Sequence, residues 1–67
     1  MIQITINQQL ENINTNVVLT ELLDNKGISH NSVALVVNQR IIPRSQWHEY
    51  VCQPNDNIEF FSAVAGG

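Results

Sequence analysis

Asn16-Val17-Val18-Leu19-Thr20-Glu21-Leu22-Leu23-Asp24-Asn25-Lys26-Gly27 is the stretch on which the fold turns. Val18, Leu19, Leu22 and Leu23 recur at helical spacing, while Thr20, Glu21 and Asp24 fall on the opposite, wet face. Thr15 or Asn16 offers a cap at the start. Gly27 stops the helix as a left-handed C-terminal residue would, and Ile28 beyond it can fold back over the apolar stripe. The segment therefore predicts one short amphipathic helix with a single face to bury.

Strand patterns lie on both sides of it. Ile2, Ile4 and Ile6 alternate with Gln3, Thr5 and Asn7, and a weaker strand runs from about Gln9 to Ile13 after a tight turn at Asn7-Gln8. Downstream, Val33-Ala34-Leu35-Val36-Val37 is apolar throughout, the mark of a central strand whose second face is not fully polar. Asn38-Gln39-Arg40 reads as a hairpin turn into a short strand at Ile41 and Ile42, which Pro43 ends because it has no backbone donor. Ser45 can cap a brief helical turn carrying Trp47, Tyr50 and Val51. Pro54-Asn55-Asp56-Asn57 is turn chemistry, and Ile58 to Ala63 forms the last strand, with Ile58 and Phe60 on one face and Glu59 and Phe61 on the other.

One helix cannot cover both faces of a four- or five-stranded sheet. It should pack on one face, over a core of Ile4, Leu19, Leu22, Leu23, Leu35, Ile58 and Phe60. The expected class is α+β: a ubiquitin-like β-grasp, a mixed sheet on one main helix, whose last strand is central. Residues 1–62 would form this domain, and residues 63–67 a flexible tail whose last glycines have no side chains to pack.

Composition narrows the function. Sixty-seven residues make one domain with a small core. The net charge of −3 leaves Lys26, Arg40 and Arg44 scattered, which is no track for phosphates and argues against nucleic-acid binding. The longest apolar run is far short of the roughly 20 residues of a membrane helix. Cys52 has no partner for an intramolecular disulfide, and a reducing cytoplasmic setting is expected. Asn and Gln are numerous but dispersed, as ordinary polar surface would be.

Few side chains suggest catalysis. His30 and His48 are far apart, and His48-Glu49 lacks metal-ligand spacing, so both read as surface histidines. Cys52 reads as a small buried hydrophobe with no basic neighbour to activate it. Ser45 has no His–Asp context. Trp47 reads as a packing anchor. Arg44, fixed beside Pro43, suits either a structural hydrogen bond or a docking contact. Phe61 is aimed away from the helix-packed face, where an exposed aromatic suggests an interface.

The C-terminal Ala65-Gly66-Gly67 is the remaining signal. Two consecutive glycines have no side chains, so they can enter a slot too narrow for any other residue type. The group delivered at Gly67 would be an α-carboxylate, a poor electrophile that another enzyme must activate as an acyl-phosphate or acyl-adenylate.

Together these features resemble the ubiquitin-like sulfur carriers, and most closely the ThiS family of thiamin biosynthesis. Three stretches carry the resemblance: Glu21-Leu22-Leu23 with Gly27-Ile28; Val37-Asn38-Gln39-Arg40-Ile41-Ile42-Pro43-Arg44-Ser45-Gln46-Trp47; and Asp56-Asn57-Ile58 leading to Val64-Ala65-Gly66-Gly67. The chain departs from the family pattern at Asn55-Asp56, where Gly-Asp is usual, and at Cys52, where an aliphatic residue is common. Asn tolerates positive φ, so the turn should survive.

The resemblance implies a carrier rather than an enzyme. An E1-like adenylyltransferase of the ThiF type would use ATP and Mg to adenylate Gly67. A cysteine-derived protein persulfide would displace AMP and lead to a thiocarboxylate, which would donate sulfur to the thiazole synthase, ThiG. Gly66, Ala65 and Val64 would be the tail recognised by these partners, with Phe61 and Arg44 as further contacts. The alternatives are a MoaD-like small subunit of molybdopterin synthase, a ubiquitin-like protein modifier, and a plain β-grasp binding module. MoaD-like chains often carry a proline-rich stretch before the final glycines, and Phe61-Ser62-Ala63-Val64 has none.

Overall fold

β1 (Ile2–Ile6) and β2 (Gln9–Ile13) form an antiparallel hairpin, followed by α1 (Leu19–Asn25), β3 (Val33–Val37), β4 (Arg40–Ile42) and β5 (Asn57–Ser62). Single 3₁₀ turns precede β3 at His30–Ser32 and follow β4 at Arg44–Gln46. This computed structural model describes residues 1–62. The strand order is β2-β1-β5-β3-β4, with β5 parallel to β1 and antiparallel to β3. The sheet is thus mixed, and its last strand in sequence is its central one. That is the β-grasp arrangement expected from the patterning.

The core lies between α1 and one face of the sheet. Ile4, Leu19, Leu23, Leu35, Ile58 and Trp47 are wholly buried, with Ile6, Leu22, Val33, Val37 and Cys52 around them. Ile28 packs against this cluster from beyond Gly27, as the stripe requires, and Phe60 is partly rather than fully buried at its margin. In so small a core, truncating one such residue is expensive: Leu23→Ala should cost about 2–5 kcal/mol. Trp47 donates its indole N–H to the Ile42 carbonyl at 2.8 Å, so the largest core side chain also leaves no polar atom unmet.

The helix starts later than the cap residues Thr15 and Asn16 suggest. Its N-cap is Val18, whose N–H donates to Glu21 Oε1 at 3.3 Å. The reason is a competing use for the preceding backbone. Cys52 N–H donates to the Val17 carbonyl at 2.8 Å, Leu19 N–H to the Tyr50 carbonyl at 3.1 Å, and Val18 bridges Val51. Val17, held in this extended bridge, contributes the buried side chain, and Val18 is only half-buried. Ser45 likewise caps nothing: Pro43 occupies the N-cap of its 3₁₀ turn, with no side-chain cap bond. The proline's fixed φ already sets the entry to that turn. Ala63, expected to end the last strand, lies outside the described residues.

Several asparagines set the backbone path rather than merely meeting water. Asn7, Asn16, Asn38 and Asn55 all adopt positive φ, as do Gln8 and Gln39. Asn7-Gln8 and Asn38-Gln39 are two-residue hairpin loops with positive φ at both positions, matching the right-handed twist of the strands they join. Asn55, at φ 69°, fills the turn position where a glycine would otherwise serve.

Candidate functional site: the outer sheet face and the end of β5

Strand alternation sorts β5 into two faces. Ile58 and Phe60 turn toward α1, while Asn57, Glu59 and Phe61 turn to the opposite, helix-free face. Phe61 is 54% exposed there, opposite Ala34 on β3. Val36, two residues along β3, is opposite both Glu59 and Ile41, and Ile41 is 74% exposed. Phe61, Ala34, Val36 and Ile41 therefore form a diagonal apolar strip across three strands, on the strand that leads to the chain's last residues. Beside it, a shallow groove of about 350 Å³ is lined by Asn7, Gln8, Glu59, Phe60 and Phe61.

Arg44 is placed differently. Its Nη1 donates to Asn31 Oδ1 at 3.2 Å, and its guanidinium carbon lies 6.0 Å from the centroid of the Trp47 ring. Neither contact involves Phe61. Val64, Ala65, Gly66 and Gly67 lie outside the described residues.

Two side-chain clusters hold β5 in place, and neither is evident from the sequence. Asp56 is buried and accepts three hydrogen bonds: from Tyr50 Oη at 2.9 Å, Gln53 N–H at 2.9 Å and Asn38 Nδ2 at 3.0 Å. Burial, reinforced by the bond to this carboxylate, pushes the Tyr50 hydroxyl up to about 12. The second cluster uses the two hairpin asparagines. Asn38 Oδ1 accepts from Asn57 N–H, and Asn7 Oδ1 accepts from Phe60 N–H, each at 2.9 Å. The available signal was the repeated Asn-Gln pair after β1 and after β3, the two neighbours of the central strand.

Among the described residues, the cysteine and the two histidines differ in setting. Burial pushes the Cys52 thiol up to about 11, the opposite of activation. His30 Nε2 lies 2.8 Å from Asp24 Oδ1, with its ring edge-on to Trp47, so it is a surface histidine with a structural contact. His48 is exposed, with Glu49 Oε1 3.9 Å from its Nε2. Among the described residues no three potential metal ligands cluster, and no helix is long and apolar enough to cross a membrane. What the described surface offers is an apolar face and a firmly anchored strand leading to a carboxy-terminal segment.

Comparison with known proteins agrees with this architecture. The chain is 35% identical over 65 residues to the sulfur carrier protein ThiS of Escherichia coli strain K12, covering 97% of this chain and 98% of that protein. A crystal structure of the thiamine biosynthesis protein ThiS from Geobacter metallireducens superposes with a TM-score of 0.86 at 20% identity, over 98% of this chain and all of that one. The solution structure of a thiamine biosynthesis protein from the same organism gives 0.78 at 20% identity, over 98% of this chain and 88% of that one. These two establish the ubiquitin-like fold. The ThiS family model matches residues 2–67, from the first strand through the terminal glycines, and the chain belongs to the ThiS family.

Proposed function

We propose that this chain is a sulfur carrier protein of thiamin biosynthesis, a protein substrate of partner enzymes rather than a catalyst. The observation that carries this reading is the end-to-end likeness to the E. coli sulfur carrier, joined to the family match through Gly67. Residues 1–62 form the docking domain and residues 63–67 the segment handed to partners. Fully extended, those five residues span roughly 17 Å at about 3.4 Å per residue, enough to enter a partner's active site.

In this reading an E1-like, ThiF-type adenylyltransferase binds ATP and Mg, and the Gly67 carboxylate oxygen attacks the α-phosphorus with loss of pyrophosphate. The terminal sulfur of a cysteine-derived persulfide then attacks the acyl carbon and AMP leaves. Cleavage of the S–S bond by a second thiol frees the thiocarboxylate, which passes sulfur to a ThiG-type thiazole synthase in the cytoplasm. Gly66, Ala65 and Val64 thread the partner's channel, and Phe61 docks on its surface. Arg44 contributes a second contact through the donors its one bond to Asn31 leaves over. In this reading the chemistry falls to the partners.

Deleting Gly67, or adding a residue after it, tests the reading. Either change misplaces the carboxylate and should abolish sulfur transfer, while the melting curve of residues 1–62 stays as before. A Gly67-deleted chain that still supports thiazole formation would refute it. A branched conjugate to target lysines in cells, in place of a free thiocarboxylate, would point instead to a protein modifier.

A further inference from the structure

The parallel ladder between β1 and β5 should end where β1 ends. Thr5 N–H donates to the Asp56 carbonyl and Asn7 N–H to the Ile58 carbonyl, both at 2.9 Å. The next rung would need the Asn7 carbonyl to accept from Phe60 N–H. Asn7 has already turned into the left-handed region, at φ 49°, to begin the hairpin loop, and its backbone carbonyl is lost to the ladder. Its side chain replaces that carbonyl: Oδ1 accepts from Phe60 N–H at 2.9 Å, across 53 positions of sequence. Beyond this rung, β5 is paired only on its other side, where Phe61 and Ser62 face Ala34 and Val33.

We propose that Asn7 is a positioning residue for the reactive tail. By clamping Phe60 from the β1 side, it fixes the last point at which β5 is held on both edges, and so the direction in which the chain leaves toward Gly67. The same clamp sets Phe61, the next residue, square on the outer face. The inference rests on the carrier reading above and deepens it: docking would belong to the apolar face, and placement of the carboxylate to Asn7.

The asparagine does two jobs that mutation separates. Asn7→Gly keeps a residue at ease with positive φ but removes the acceptor; Asn7→Asp keeps both. The experiment is carrier-dependent ATP–pyrophosphate exchange by an E1-like adenylyltransferase, with KM for the carrier and kcat determined separately. Melting curves and amide exchange at Phe60 are measured on the same proteins. Asn7→Gly should lower the melting temperature by only a few degrees, the scale of one exposed hydrogen bond in a domain this small, and its Phe60 amide should exchange faster. Its kcat should fall about three- to tenfold with little change in KM, the scale of one net hydrogen bond. Asn7→Asp should restore both values. Equal kcat for Asn7→Gly and wild type, an effect confined to KM, failure of Asp to rescue, or a large drop in melting temperature would each overturn the proposal. A wild-type chain that supports no exchange at all would instead refute the carrier reading itself.

Discussion

Asn7 and Asn38 occupy the same first position in two different hairpin loops, and each returns its side-chain carbonyl to a backbone N–H of the central strand. They grip β5 from opposite neighbours, Asn38 at its first residue and Asn7 at Phe60. The two differ in one respect. Asn38 also donates from Nδ2 to the buried Asp56 carboxylate at 3.0 Å, and among the described residues Asn7 has no such second side-chain bond.

That difference predicts opposite tolerance to the same substitution. Asn38→Asp keeps the turn but exchanges a donor for a second carboxylate against Asp56, and should cost about 2–3 kcal/mol of stability. Asn7→Asp should cost under about 0.5 kcal/mol, as an exposed surface change does. Urea denaturation at neutral pH checks both. Equal losses would mean that the Asn38–Asp56 contact contributes nothing.

Removing Asp56 itself should be worse. Asp56→Ala removes the shared acceptor of the Tyr50 hydroxyl, the Gln53 amide and Asn38 Nδ2, three part-buried bonds lost at once. A loss on the order of 3 kcal/mol or more is expected from chemical denaturation.

Stability should also fall in alkali. Tyr50 and Cys52 are both neutral when protonated, and burial holds their folded-state values at about 12 and about 11, above the ordinary 10.0 and 9.0. Between those limits the unfolded chain gives up protons that the folded one retains, so unfolding becomes easier as pH rises. The stabilisation is complete below pH 9 and is lost progressively from pH 9 to 12. Cys52→Ala should flatten the lower part of this decline and Tyr50→Phe the upper part. A melting temperature constant from pH 8 to 12 would contradict the burial of both groups.

Phe61 should separate binding from stability. Phe61→Ser removes an aromatic side chain that stands 54% exposed on the outer face, so the melting temperature should barely move. Affinity for the activating enzyme or the thiazole synthase should weaken by about 1–2 kcal/mol or more, as for an interface aromatic. Titration calorimetry against either partner decides it. Trp47→Ala is the contrasting control, with a stability loss of about 3–5 kcal/mol expected for a buried aromatic.

The architecture was legible because its periodicities are unmixed. The alternating isoleucines of β1, the Leu19-Leu22-Leu23 stripe and the apolar run of β3 each bury the face their spacing implies. Gly27 and Asn55 could be read as left-handed positions because few residue types accept that conformation. The start of α1 could not be read locally. Thr15 and Asn16 have good capping chemistry, but the bridge from Val17–Val18 to residues 50–52 is a tertiary contact that outbids local propensity. The clasp on β5 was hidden for a related reason. Asparagine in a turn is explained by φ alone, and nothing nearby in sequence says that its side chain reaches Phe60 or Asn57.

The central claim concerns one atom at Gly67. The chain should be incubated with ATP, Mg, an E1-like adenylyltransferase and a persulfide sulfur donor, with a thiol to release the product. Its intact mass should then be measured alongside that of the Gly67-deleted chain. The account predicts replacement of one oxygen by sulfur in the full chain, localised to the C-terminal glycine by fragmentation, with hydroxylamine intercepting the preceding adenylate. The deleted chain should remain unchanged. An unaltered mass for the full chain under conditions that convert a known ThiS carrier, or sulfur found on Cys52 instead, would contradict it.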